Sequence, residues 1–358
     1  MPHDVYNIAH RAKSILLSVF IVVATIFGSV SGVQAVTFIN GFDVYTGDGA
    51  VNWTTVKNAG YQFAFVKATE GVNFIDSRFT TNMTGAHNAG VLVGPYHFTR
   101  LESKDGVAFT SYNGNPFPVG SDPYLDATSE AADFIQSIRP YYTSGSYLPP
   151  VADVETFPSF GTTALNKAFV SNWIQLFSDS VQNAIGVRPM IYTSQSAANT
   201  YFNATVAGEH KLWEAVWKGT GTTSPPTQAN TPSWPLWTFW QWSDGADSIA
   251  EASQVPGTSV SVDRDVFAGT TAQLNALLVH LIPGDYNHDG HVDGADWTVW
   301  HSTRGSIVNL AADGNNNQVV DAGDYSIWLA HVPEPGTATL VAVGILAAIG
   351  TRPKRKLR

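Results

Sequence analysis

Between residues 36 and 282 the chain alternates short apolar runs with longer amphipathic stretches, and this rhythm limits the possible folds more than any other feature. Runs at 42–45, 63–67, 91–98, 148–155, 189–193, 211–216, 236–242 and 260–267 read as strands. Several are apolar at nearly every position, as strands covered on both faces require. Helical patterns fall between them at 76–89, 129–138, 163–183 and 271–281. Strands and helices in alternation predict an α/β fold, an irregular (β/α) barrel of the TIM type. In such a barrel the chemistry collects at the C-terminal ends of the strands. Asp43, Lys67, Tyr96, Glu155, Tyr192, Gln241 and Asp263 fall at or near those ends.

One strand carries two acids. Leu148-Pro149-Pro150-Val151-Ala152-Asp153-Val154-Glu155 is apolar until Asp153. Alternate residues of a strand share a face, so Asp153 and Glu155 point the same way, roughly 6–7 Å apart at Cβ. Mutual repulsion and burial both favour the uncharged form, so one of the two keeps its proton near neutral pH. A proton donor beside a carboxylate is what hydrolysis of a glycosidic bond requires. No histidine or cysteine pattern has zinc spacing, and neither a Gly-rich phosphate loop nor a Ser-His-Asp set stands out.

The 358 residues are 44% hydrophobic, enough for a large core with appendages. The formal charge is −10, yet residues 1–35 carry +1 and residues 336–358 carry +5, leaving −16 between them. An acidic body of that kind makes nucleic acid a poor partner. Cysteine is absent, so there is no disulfide framework. Of eleven tryptophans, six crowd between Trp213 and Trp242. Trp240 and Trp242 flank Gln241 on one strand, and the alternation puts the indoles in the core and Gln241 toward the cleft. His97, within an aromatic strand, reads as a hydrogen-bonded core residue. Lys67 and Glu70 form either a structural ion pair or a pair of ligand contacts.

Taken in order, these motifs resemble a known family. Asn40-Gly41-Phe42-Asp43-Val44, Trp53, Phe63-Ala64-Phe65-Val66-Lys67-Ala68-Thr69-Glu70-Gly71 and Gly94-Pro95-Tyr96-His97-Phe98 come first. The Asp153/Glu155 strand, Pro189-Met190-Ile191-Tyr192, Trp240-Gln241-Trp242 and Val262-Asp263 follow. Together they resemble the glycoside hydrolase family 25 muramidases across the whole body, residues 36–282. The resemblance implies cleavage of the β-1,4 bond between N-acetylmuramic acid and N-acetylglucosamine in peptidoglycan, with no cofactor for catalysis. It implies Glu155 as general acid and Asp153 as its partner, either stabilising the transition state or orienting the acetamido group. Asp43 and Asp263 join the acidic cluster, and Tyr96, Tyr192, Gln241, Lys67 and Glu70 contact substrate. Retaining, inverting and substrate-assisted routes all stay open. The alternative is a glycan-binding protein with little or no catalysis. The chain departs from the family at Tyr45-Thr46-Gly47-Asp48-Gly49, where Asp48 replaces a glutamine, and at residues 103–120, a Gly/Pro-rich insertion that forms a cleft rim or a passive loop.

Beyond the body, Asp285, Asn287, Asp289, His291, Asp293 and Asp296 occupy positions 1, 3, 5, 7, 9 and 12 of a calcium loop, with Gly290 at the turn. His291 offers its backbone carbonyl. A second copy has Asp313, Asn315, Asn317, Asp321 and Asp324 at the same offsets, but Gln318 at the turn, which predicts weaker binding. The duplicated loop and helix at 283–331 resemble a dockerin, a small α-helical module of EF-hand type. This implies structural calcium and a cohesin-like protein partner. At the N-terminus, Arg11 and Lys13, an apolar run from Ser14 to Phe27 and small residues up to Ala35 form an export signal over residues 1–35. Residues 332–358, with Pro333-Glu334-Pro335, an apolar stretch and a basic end, resemble a PEP-CTERM sorting signal. That resemblance implies membrane retention during export and an exosortase-type processing enzyme.

Overall fold

Eight strands close into a barrel in the computed structural model, which describes residues 38–103, 105–217, 234, 236–245 and 254–333. The strands are β1 (Phe38–Val44), β2 (Phe63–Glu70), β4 (Leu92–Phe98), β5 (Val151–Asp153), β6 (Met190–Ser194), β7 (Leu212–Ala215), β8 (Trp237–Ser243) and β9 (Arg264–Ala268). A two-residue strand, β3 (Phe74–Ile75), folds back on the end of β2. Six of the eight barrel pairings are parallel. The last strand, β9, runs antiparallel to both β8 and β1, and this makes the barrel irregular.

The period of two divides each strand between two cores. Phe42, Val44, Ala64, Val66, Val93, Ala152, Val154 and Ile191 face outward against the helices. These helices are α1 (Trp53–Asn58), α2 (Phe79–Asn88), α3 (Asp122–Ser144) and α4 (Thr163–Ile185), followed by α5 (Gln195–Tyr201) and α6 (Ala204–Glu209). Trp173 and Phe177 of α4 stack against each other in this outer layer. Inside the barrel, Ile39, Phe63, Phe65, Val151, Met190, Phe239 and Phe267 form an apolar plug. Gly41 leaves room for it, since a Cβ there would lie 2.4 Å from the Phe63 ring.

Several boundaries differ from those the sequence suggests. Pro149 and Pro150 lack N–H donors, so β5 begins only at Val151, and it ends at Asp153, two residues before Glu155. The helix expected at 129–138 extends to Asp122–Ser144 and passes through Pro140. Pro140 cannot donate to the Gln136 carbonyl, which instead accepts from the Asn316 side chain at 3.4 Å. The helix expected at 271–281 stops at Asn275, and Val279 pairs with Tyr147. Short helices α1, α5 and α6 escape the apolar pattern, but Asn52, Ser194 and Asn203 cap their N-termini.

The C-terminal part of the described chain carries helices Gly294–Thr303 and Ala322–His331, each entered from an Asp/Asn-rich loop. Its loops lie against α3 and α4, with His288 Nε2 3.3 Å from the Asn183 carbonyl. The export signal at 1–35 lies outside the described residues, as does the sorting signal beyond Pro333. Among the described residues no helix is long and apolar enough to cross a membrane.

Candidate active site

Moving along each inward face toward the C-terminal end, apolar residues give way to polar ones. On β1 the order is Ile39, Gly41, Asp43; on β2 it is Phe63, Phe65, Lys67. On β5 Asp153 follows Val151, on β6 Tyr192 follows Met190, and on β8 Gln241 follows Phe239. Strand β9 runs the other way, so its N-terminal side supplies the matching acids, Asp263 just before it and Asp265 within it. Asp263 thus reaches the cleft from the start of an antiparallel strand, not from the C-terminal end that the alternating pattern implies. Asp43, Tyr45, Asp48, Lys67, Tyr96, Phe98, Asp153, Glu155, Tyr192, Trp213, Gln241 and Asp263 line one cavity above the plug.

Gln241 lies at the centre of the site. Its Nε2 donates to Asp43 Oδ2 at 3.0 Å and to Asp263 Oδ2 at 2.9 Å. Its Oε1 accepts from Tyr192 Oη at 2.7 Å and Trp217 Nε1 at 2.8 Å. Trp240 and Trp242 turn the other way, into a core with Val266, as the alternation predicts. Beneath the cleft, Trp213 Nε1 donates to Asp265 Oδ1 at 2.8 Å.

The carboxyls are crowded, and all have raised pKa values. Burial, then the nearby Asp265, lifts Asp43 well above the usual range, and the amide of Gln241 opposes that lift. Burial and the charge of Asp43 push Asp263 up to about 9. Burial alone is the main cause at Asp48, which reaches about 6. Burial and Glu155 raise Asp153, and burial raises Glu155. Asp153 is buried while Glu155 is exposed to the cleft. Among the described residues no N–H donates to Asp153 Oδ1. Tyr96 and Tyr192, buried beside these acids, stay neutral phenols.

Of the expected contact residues, Tyr96, Tyr192, Gln241 and Lys67 line the acidic cleft. Glu70 does not: it pairs with Lys67 and Arg100 and faces a neighbouring cavity. His97 is fully buried, with Nδ1 2.7 Å from Thr69 Oγ1 and Nε2 2.7 Å from Glu130 Oε2. Burial drops its pKa to about 3, so the imidazole is neutral and structural. Tyr45, Phe98, Trp213 and Asp265 belong to the site without having been picked out from sequence. Asp265 had a signal, because it is two residues from Asp263 and so shares its face.

In the C-terminal loops the hydrogen bonds repeat in register. Asp285 accepts from the amides of Asp289 and Gly290, and Asp313 accepts from those of Asn317 and Gln318. Asp296 accepts from Tyr286, Asn287 and Asp293, and Asp324 accepts from Asn315 and Asp321. Asp296 and Asp324 are fully buried. At the turn, φ is +88° for Gly290 and +68° for Gln318, a conformation that costs a residue with a Cβ more than it costs glycine. Among the described residues no three His, Cys, Asp or Glu side chains form a group that could hold a metal ion. Any such site here must therefore draw on Asn side chains and backbone carbonyls as well.

Comparison with known proteins gives a consistent result. The model of the glycosyl hydrolases family 25 matches residues 42–112 and 122–249. Lysozyme M1 of Streptomyces globisporus is 32% identical over 242 residues, 67% of this chain and 71% of that protein. An N,O-diacetylmuramidase of Arthroderma benhamiae is 29% identical over 226 residues, 59% of this chain and 80% of that protein. The crystal structure of a bacterial lysozyme from Streptomyces coelicolor aligns over 67% of this chain and 96% of its own, with 30% identity and a TM-score of 0.49.

Proposed function

This chain belongs to family 25 of the glycosyl hydrolases, and we propose that it is an exported muramidase cleaving the β-1,4 bond between N-acetylmuramic acid and N-acetylglucosamine in peptidoglycan. The observation that carries this reading is the convergence of Asp43, Asp153, Glu155 and Asp263 on one cleft. The names of its relatives, a lysozyme and an N,O-diacetylmuramidase, support the choice of substrate.

Glu155 is the general acid. Burial keeps a proton on the Asp153/Glu155 pair, and Glu155 is the member open to the cleft. As the glycosidic C–O bond breaks, that proton passes to the leaving oxygen, and both carboxyls of the pair are left ionised beside the positive charge developing at the anomeric carbon. Asp153 is buried, whereas Glu155 is the acid open to the cleft. This favours a supporting role for Asp153. Its donor-free Oδ1 suits the substrate's acetamide N–H, directing the acetamide oxygen to the anomeric carbon. Water then opens that intermediate, with Glu155 taking back a proton as general base. Asp43 and Asp263, held by Gln241, form the facing wall.

Release of reducing ends from purified peptidoglycan tests the reading. Glu155→Gln should lower the rate at least about 100-fold, the contribution of a positioned general acid. Equal release by both proteins would leave only a glycan-binding role. Product stereochemistry followed by NMR should show retention at the anomeric carbon; inversion would exclude acetamide participation.

The paired loops support a dockerin-like module at 283–331. Its hard-oxygen set suits calcium: Asp285, Asn287, Asp289, the His291 carbonyl, Asp293 and Asp296 in one loop, and Asp313, Asn315, Asn317, Asp321 and Asp324 in the other. Bound calcium would supply the positive charge that the buried Asp296 and Asp324 face. A cohesin-like partner, cleavage after Ala35 and exosortase-type processing of 332–358 at the membrane complete the proposal.

A further inference from the structure

Beside the catalytic cleft lies a second cavity, of about 270 Å³, lined by Glu70, Phe74, Arg100, Glu102, Asp126 and Glu130 among others. The two cavities adjoin through one chain of contacts. Lys67 lines the first and pairs with Glu70 of the second, and Glu70 also binds Arg100. Lys67 Nζ and the Arg100 guanidinium lie 4.8 and 4.9 Å from the ring centre of Phe98, a residue of the first cavity.

The second cavity has more acceptors than donors. Arg100 spends both Nε and Nη2 on Glu70. Glu130 is occupied by His97 and the Arg100 amide. Asp126, near the start of α3, is only 1% exposed. Its Oδ2 accepts from Trp173 Nε1 at 2.7 Å, while its Oδ1 is buried without any hydrogen-bond partner. A buried carboxyl oxygen in that state is destabilising unless something donates to it. Burial and the charges of Glu130 and Glu102 push Asp126 up to about 8. A compact cation with several N–H donors fits these acceptors. Phe74, 45% exposed at the rim, offers an apolar wall for the carbon chain of such a ligand.

We propose that this cavity is a subsite for a primary ammonium group of the substrate, with Asp126 Oδ1 and Glu102 as its acceptors. The proposal deepens the peptidoglycan reading and rests on it. Two parts of a cell-wall polymer carry such a group: the amino-acid side chains of the stem peptides and de-N-acetylated amino sugars.

The test separates binding from hydrolysis. The full chain carrying Glu155→Gln is titrated with three ligands: a muropeptide with a free side-chain amine, the same muropeptide acetylated on that amine, and a peptide-free glycan with a de-N-acetylated sugar. One of the two amine-bearing ligands should bind about tenfold more tightly than the acetylated muropeptide, the scale of one charge-assisted contact. Adding Glu102→Gln or Asp126→Asn should abolish that preference. Which ligand shows it identifies the source of the ammonium. Equal affinity for all three, or a preference that survives both substitutions, would overturn the proposal. In the active chain, the same two variants should raise KM on amine-bearing peptidoglycan and leave kcat unchanged. Absence of hydrolysis on every substrate would count against the muramidase reading alone, because the binding arm does not depend on turnover.

Discussion

Gln241 donates to Asp43 at 3.0 Å although 198 residues separate them in the chain. The bond ties β8 to β1 across the antiparallel β9 and fixes the orientation of an acid that burial drives toward its neutral form. Gln241→Leu removes donors from Asp43 and Asp263 and an acceptor from Tyr192 and Trp217. We expect a loss of about 1–3 kcal/mol in stability from the buried groups left unmade. The rate on peptidoglycan should also fall, by roughly tenfold or more, as expected when acids lose their positioning. Denaturant melts and reducing-end assays measure the two effects separately.

The crowded acids give the fold an unusual pH response. A carboxyl raised by folding binds its proton more tightly in the folded state. Its stabilising contribution is therefore complete below the unfolded value near 4 and is lost as pH rises through the folded value. For Asp48 that window ends at about 6 and for Asp263 at about 9. His97 has the opposite sign: with a folded value of about 3, its contribution is complete above 6.5 and is lost as pH falls toward 3. Melting temperature should therefore peak at mildly acidic pH. Asp263→Asn should flatten the alkaline limb and leave the acidic limb unchanged. An alkaline limb of unchanged slope in this variant would refute the assignment.

Gly41 is where the barrel interior is tightest. A Cβ there meets the Phe63 ring, which is itself packed against Phe239 at 4.9 Å between ring centres. Gly41→Ala should cost about 1–3 kcal/mol by overpacking. Gly60→Ala meets no atom within 4 Å and serves as a comparison, its cost coming from a φ of +93°. Urea midpoints of the two variants should separate steric from backbone effects.

The loops differ in one testable way. Gln318 holds φ +68° where its counterpart is a glycine, and relief of that strain is worth about 1–2 kcal/mol. Calorimetric titration of the full chain with calcium should resolve a stronger and a weaker site. Gln318→Gly should tighten the weaker one, and Asp296→Asn should remove the stronger. No calcium response in the unaltered chain would dismiss the calcium reading.

Much of the catalytic body is legible in the sequence because its signals are local. All eight apolar runs become barrel strands, and the period of two correctly turns Gln241 inward and Trp240 and Trp242 outward. Where neighbours intervene, local reading misplaces boundaries. Pro140 suggests a helix end, yet α3 continues through it, with the freed Gln136 carbonyl taken by Asn316, 180 residues later. Glu70 sits on the right strand for a cleft residue, but its ion pairs draw it to the neighbouring cavity.

By itself the sequence determined the strand and helix alternation, the placement of Asp153 and Glu155 on one strand end, and the duplicated Asp/Asn loops, since each depends only on spacing along the chain. Only the tertiary structure decided that β9 runs antiparallel, which brings Asp263 to the same cleft as Asp43 and sets Asp265 beneath it. It alone made Gln241 the link between the walls and left Asp126 Oδ1 without a donor in a second cavity. Strand direction, barrel closure and the matching of buried donors to acceptors depend on groups far apart in the chain, and no local pattern encodes them.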